Sequence, residues 1–285
     1  MGEPRIETVE IDGLRFHVRL YGDGRPILLL HGFPDSGEVW RLQAPALADA
    51  GFRVIVPDLR GCGETDAPEE VARYRLDRLV ADVFALADAT AGDGATIDLV
   101  GHDWGAAIGW FACAQRPERV RRFVALSVGH PEAYRRAGLE QKLKGWYLLL
   151  FVTPGLAERV LRAGDFRALT RHAPTAEDAE RWRRDLARPG RLTAGLNWYR
   201  AAARSGLARL DPIRVPTLGV YSTGDPALAE DQMANAARWV DADWRYERLD
   251  GVGHWLQIEA AERVNAWLLE WFSAPSLDGG PGTAR

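Results

Sequence analysis

Hydrophobic and polar residues alternate over residues 5–11 and again over 14–21, with the pair Asp12-Gly13 between them. An Asp-Gly pair joining two alternating runs predicts a β-hairpin. From residue 26 the pattern changes to short, continuously apolar strands separated by amphipathic helices. The predicted strands are 26–30, 53–57, 97–100 and 120–128, and the predicted helices are 39–50, 76–89 and 106–115. Apolar strands alternating with helices define an α/β class, with a mostly parallel sheet covered on both faces. Over 131–210 the strand pattern stops. That stretch reads as helices broken at Pro154-Gly155, Gly164, Pro174 and Pro189-Gly190, residues that interrupt or end helices. Strands resume at 217–222 and 244–249, and a helix over 260–272 closes the pattern. The expected organisation is a core over 1–130 and 211–273 and a helical cap over 131–210. The tail, 274–285, is rich in Gly, Pro and Ser and is expected to be disordered.

Composition narrows the function classes. With 36 Lys and Arg against 40 Asp and Glu, the net charge of −4 argues against a phosphate-binding face, so no nucleic-acid partner is expected. The Arg181, Arg183 and Arg184 run is interleaved with acids at helical spacing and reads as a solvated face. Cys62 and Cys113 are the only cysteines. Their placement matches neither a disulfide framework nor a zinc motif, and no metal or organic cofactor is expected. The N-terminus has no apolar targeting core. The longest apolar run, 146–153, is far short of the roughly 18 residues needed to span a bilayer, so the expectation is a cytoplasmic protein with no membrane partner.

The candidate chemistry centres on Gly101-His102-Asp103-Trp104-Gly105. It follows a predicted strand and precedes a predicted helix, the context of a G-x-S-x-G nucleophile elbow with Asp in place of Ser. Glycines two positions either side permit the close main-chain approaches that the sharp turn imposes. A carboxylate attacking an acyl carbon would only form an anhydride, so Asp103 suggests attack on sp³ carbon and an alkyl-ester intermediate. The competing reading makes Asp103 an ordinary helix cap.

Hydrolysis of such an ester needs an oxyanion hole and an activated water. The loop His31-Gly32-Phe33-Pro34 lies where the first amide of such a hole is donated, making the N–H groups of Phe33 and Trp104 the candidate pair. His254, in Gly251-Val252-Gly253-His254-Trp255, is the candidate base. Asp225, past the strand 217–222, is the candidate acid that orients it, because nucleophile, acid and histidine occur in the expected chain order. Taken alone, Asp225 reads equally well as an Asx turn before Pro226. Glu132 is a weaker alternative acid. His17, His31, His102, His130 and His172 are less attractive as bases, although His130 lies at a strand end.

These motifs together resemble the α/β-hydrolase-fold epoxide hydrolases of the soluble type, over residues 14–272. The resemblance implies two cap tyrosines that bind and protonate the epoxide oxygen. Tyr147, in Trp146-Tyr147 ahead of Pro154-Gly155, and Tyr199, in Leu196-Asn197-Trp198-Tyr199-Arg200, match their surroundings. A vicinal diol is the implied product, a small apolar epoxide and water the implied partners, and a monomer or homodimer the implied assembly. Phe33, Trp104, Trp146 and Trp198 are expected to line an apolar pocket. Two positions depart from the family pattern: Cys62 stands where an aromatic residue is common, and Val152 where Gln is often found.

Rival readings remain open at this stage. A haloalkane or haloacid dehalogenase uses the same nucleophile but needs halide donors, commonly Asn or a second Trp, and a fluoroacetate type would carry Arg where this chain has Trp104. A catalytically silent ligand-binding hydrolase fold is disfavoured by the complete Asp103, Asp225 and His254 set. A serine esterase is disfavoured by the missing hydroxyl.

Overall fold

The computed structural model describes residues 3–206 and 209–274; the expected disordered tail lies, except for Ala274, outside the described residues. Eight strands form one sheet: β1 (Arg5–Ile11), β2 (Leu14–Tyr21), β3 (Arg25–Leu30), β4 (Phe52–Pro57), β5 (Ile97–His102), β6 (Val120–Leu126), β7 (Thr217–Ser222) and β8 (Trp244–Leu249). Their order across the sheet is β1-β2-β4-β3-β5-β6-β7-β8. β1 pairs antiparallel with β2, and β2 with β4, while every other pair is parallel. The central strands are apolar because both faces are covered: β5 and β7 are buried along their whole length, as expected of strands sandwiched between helices.

The helices that cover the sheet are α1 (Ala44–Asp49), α2 (Leu76–Ala91) and α3 (Trp104–Gln115), with α4 (Pro131–Arg136), α5 (Leu139–Lys144), α6 (Tyr147–Phe151), α7 (Leu156–Thr170), α8 (Ala176–Ala187) and α9 (Arg191–Ser205) between β6 and β7. α10 (Glu230–Ala234), α11 (Leu256–Glu259) and α12 (Ala261–Ser273) complete the helices of the described residues. The single helix expected over 39–50 is instead a 3₁₀ turn, Gly37–Trp40, followed by α1. Pro45 at the start of α1 explains the restart, since a proline without N–H is tolerated only in a first helical turn. The strand expected to reach residue 128 stops at Leu126, because Ser127 takes a left-handed φ of 69°. α7 contains the kink expected at Gly164, where Gly164, Asp165 and Phe166 all have positive φ. No helix among the described residues is long and apolar enough to cross a membrane.

Candidate active site

β5 delivers the chain into the turn at Asp103, whose φ of 54° and ψ of −120° are strained for a residue with a side chain. The flanking glycines are obligatory. A Cβ on Gly105 would lie 2.1 Å from the Leu30 carbonyl oxygen, and one on Gly101 2.3 Å from that of Gly105. Asp103 makes no side-chain cap to α3, which removes the helix-cap reading. Its Oδ1 instead accepts the Phe33 N–H at 3.0 Å, and the Trp104 amide also bonds the carboxylate. Gly32 permits this approach, since a Cβ there would meet Oδ1 at 2.2 Å. The two amides expected to form an oxyanion hole thus both meet the Asp103 carboxylate. Oδ2 lies 3.7 Å from His254 Nε2.

His254 Nδ1 is 2.7 Å from Asp225 Oδ2. Asp225 Oδ1 accepts the N–H groups of Ala227 and Leu228 at 2.8 and 3.0 Å. The two readings of Asp225 open from the sequence are therefore divided between its oxygens: one makes the turn and the other meets the histidine. Glu132 is engaged elsewhere, with Arg135 and the Leu210 N–H.

Electrostatics follow from this burial and pairing. Burial opposes charging of His254, but the carboxylates of Asp225 and then Asp103 outweigh it and hold the imidazole at about 9. Burial raises Asp103, with His254 and the Phe33 and Trp104 amides opposing the rise. Tyr147 and Tyr199 are pushed well above the ordinary tyrosine value, first by burial and then by the charge of Asp103. Both are therefore protonated at neutral pH.

Asp103, Trp104, Tyr147 and Tyr199 line one cavity of ≈ 490 Å³ whose remaining walls are mainly apolar. Val152, where the family pattern often has Gln, is also on its wall. Trp146 and Trp198, expected on the wall, are elsewhere. Trp146 is 64 % exposed, and Trp198 is buried with its indole N–H on the Arg60 carbonyl at 3.0 Å. The reason is helical geometry: successive residues point about 100° apart, so each tryptophan faces away when its neighbouring tyrosine faces the cavity. The Phe33 ring packs edge-on against Phe151 and Tyr199, supporting the wall from behind.

Three contributors had no motif to reveal them. Tyr134 on α4 lines the cavity, and the charge of Asp103 adds to the burial that raises its pKa. Lys144 donates to the carbonyls of Asp225 and Leu228, both at 2.8 Å, tying α5 to the acid's loop. Asp35, just past the Phe33-Pro34 loop, accepts the Trp182 indole N–H at 2.9 Å and that of Trp255 at 2.7 Å. It joins α8 to the residue beside His254. Among the described residues no cluster of His, Cys, Asp or Glu is placed to hold a metal ion.

A mostly parallel sheet, a strained acidic elbow and a histidine after the last strand define an α/β-hydrolase, and residues 25–261 match the family model of the α/β-hydrolase fold. The AB hydrolase superfamily protein YfhM of Bacillus subtilis is 32 % identical over 281 residues, covering 94 % of this chain and 97 % of that protein. Epoxide hydrolase A of Mycobacterium tuberculosis is 32 % identical over 326 aligned positions, covering 97 % of this chain and all of that protein (100 %). The crystal structure of epoxide hydrolase A from Mycobacterium thermoresistibile superposes with a TM-score of 0.82 at 30 % identity, over 94 % of this chain and 98 % of that one. An epoxide hydrolase from Vigna radiata gives the same TM-score, 0.82, at 28 % identity over 95 % and 98 % of the two chains. The chain belongs to the α/β-hydrolase-fold epoxide hydrolases.

Proposed function

We propose that the protein hydrolyses a small apolar epoxide to a vicinal diol through a covalent ester on Asp103, with residues 131–210 acting as a cap over the core of 1–130 and 211–273. The observation that carries this reading is the placement of Tyr147 and Tyr199 on the same cavity as Asp103, both held protonated. An opening epoxide releases an alkoxide, a poor leaving group, so acids facing the nucleophile are what this chemistry requires.

The cycle can be followed atom by atom. Asp103 Oδ1 accepts the Phe33 amide, so Oδ2 attacks an epoxide carbon as the C–O bond of the ring breaks. The alkoxide takes a proton from one tyrosine. Esterification removes the charge of Asp103 from beside His254, lowering the imidazole's hold on its proton, which restores the tyrosine. Neutral His254, oriented by Asp225, then takes a proton from water. The hydroxide adds to the ester carbonyl, whose oxygen becomes an oxyanion held by the Phe33 and Trp104 amides. Collapse breaks the bond to the alcohol oxygen, which is protonated by His254. The new carboxylic acid returns its proton to His254, and the diol leaves.

Incubation with a panel of alkyl and aryl epoxides and haloalkanes, measuring diol and halide separately, tests this reading. Diol formation abolished by Asp103→Ala is expected. Halide release without diol would replace epoxide opening with dehalogenation.

A further inference from the structure

Residues 139–152 follow one nearly continuous helical path. The backbone bonds Gly145 N to Gln141 O, Trp146 N to Leu143 O, Leu148 N to Gly145 O and Leu149 N to Trp146 O carry the turns from α5 into α6. One side of this path faces the site: Tyr147 and Leu148 line the cavity, and Lys144 holds the loop of Asp225. The other side is apolar and bare. Leu139, Leu143, Trp146 and Leu149 recur at i, i+4, i+7 and i+10 with exposures of 70, 65, 64 and 77 %, and Leu156 and Val160 of α7 add to them at 42 and 40 %. Soluble surfaces scatter single exposed apolar side chains, whereas a concentrated stripe marks a contact surface.

Charge identifies the partner. Residues 131–171 carry eight Lys and Arg against four Asp and Glu, a local net of +4 in a chain of net −4. All four acids are tied to cations: Glu132 to Arg135, Glu140 to Lys144, Glu158 to Arg200 and Asp165 to Arg183. Exposed Lys142 and Arg159, beside the stripe, have no acidic partner among the described residues. A second copy docked symmetrically would bring this positive rim against itself. An apolar stripe with a Trp and a cationic margin instead fits an amphipathic element lying in a lipid interface. The expectation of no membrane partner rested on the lack of a spanning run, which does not bear on a helix lying flat.

We propose that α5, α6 and the start of α7 form a docking surface for an anionic phospholipid bilayer, which presses the outer face of the cavity's own wall into the lipid. The test is co-sedimentation of the full chain, without substrate, with vesicles of phosphatidylcholine alone and of phosphatidylcholine containing about a third phosphatidylglycerol. Binding to the anionic vesicles, weakened by salt and cut about ten-fold or more in the Leu143→Glu/Leu149→Glu double variant, is the expected result. Both leucines are exposed, so the variant's melting temperature should match that of the parent. No binding to either vesicle, or equal binding by the variant, would overturn the proposal. So would a dimer in sedimentation velocity that the double variant abolishes while vesicles capture nothing. None of these readouts depends on turnover, so failure here leaves the catalytic reading untouched.

Discussion

Asp225→Asn isolates the step that depends on the histidine. The imidazole of His254 is held at about 9 instead of the ordinary 6.5, and Asp225 is the largest of the influences that raise it. That rise of about 2.5 pH units corresponds to about 3 kcal/mol favouring the imidazolium. In the proposed ester hydrolysis the imidazolium forms as water is deprotonated, so losing most of that stabilisation should slow hydrolysis by about 10²-fold. Alkylation uses Asp103 and the tyrosines and should be nearly unaffected. In a rapid-quench experiment the variant should therefore accumulate enzyme heavier by one substrate mass, with the added mass on the peptide containing Asp103. The pH dependence has a matching sign: the ester-hydrolysis rate of the parent should rise with pH and level off below pH 9, because the ester has cancelled the Asp103 charge that helps hold the proton. A variant that consumes epoxide slowly without any mass increase would refute the reasoning. So would a hydrolysis rate that falls as pH rises.

Tyr147→Phe and Tyr199→Phe should each slow alkylation by about 10²-fold while leaving ester hydrolysis intact, as read by single-turnover kinetics; equal slowing of both steps would argue for a packing role. Asp35 is raised by burial to about 6 from 3.8, so its contribution to stability is full below pH 3.8 and is lost as pH rises through 6. Asp35→Asn should accordingly gain about 3 kcal/mol relative to the parent between pH 4 and pH 8, seen in denaturant melts; parallel stability curves would contradict this. Gly105→Ala, which puts a Cβ 2.1 Å from a backbone oxygen, should cost about 3 kcal/mol of stability in urea unfolding.

Much of this architecture is readable from residue order because its determinants are local. Apolar strands, glycine-flanked Asp103 and the helix breakers at Gly155, Gly164 and Gly190 each act within a few positions, and the structure places an element boundary or kink at each of those glycines. Trp146 and Trp198 illustrate what residue type conceals: aromatic character suggested a pocket wall, whereas facing is decided by helical phase against a neighbour. Tyr134 and Lys144 depend on where α4 and α5 come to rest over distant loops. Asp35 was within reach, since a carboxylate directly after the Phe33-Pro34 loop lies beside the site, but its two indole partners are 147 and 220 positions away.

β6 and β7 are adjacent parallel strands, paired from Phe123↔Thr217 to Leu126↔Val220, and six helices leave the sheet from one and return through the other. The excursion thus starts and ends at nearly the same place, so the chain-closure cost of lengthening it is small. The strand ends that carry the proposed site need not move when those helices are exchanged. A chimera carrying the corresponding stretch of a relative would inherit new walls, new tyrosine spacing and a new outer face while keeping the carboxylate, amides and histidine of this sheet. On the proposed reading, selectivity and surface behaviour can in this way evolve as a detachable cassette, separately from the carboxylate and histidine beneath it.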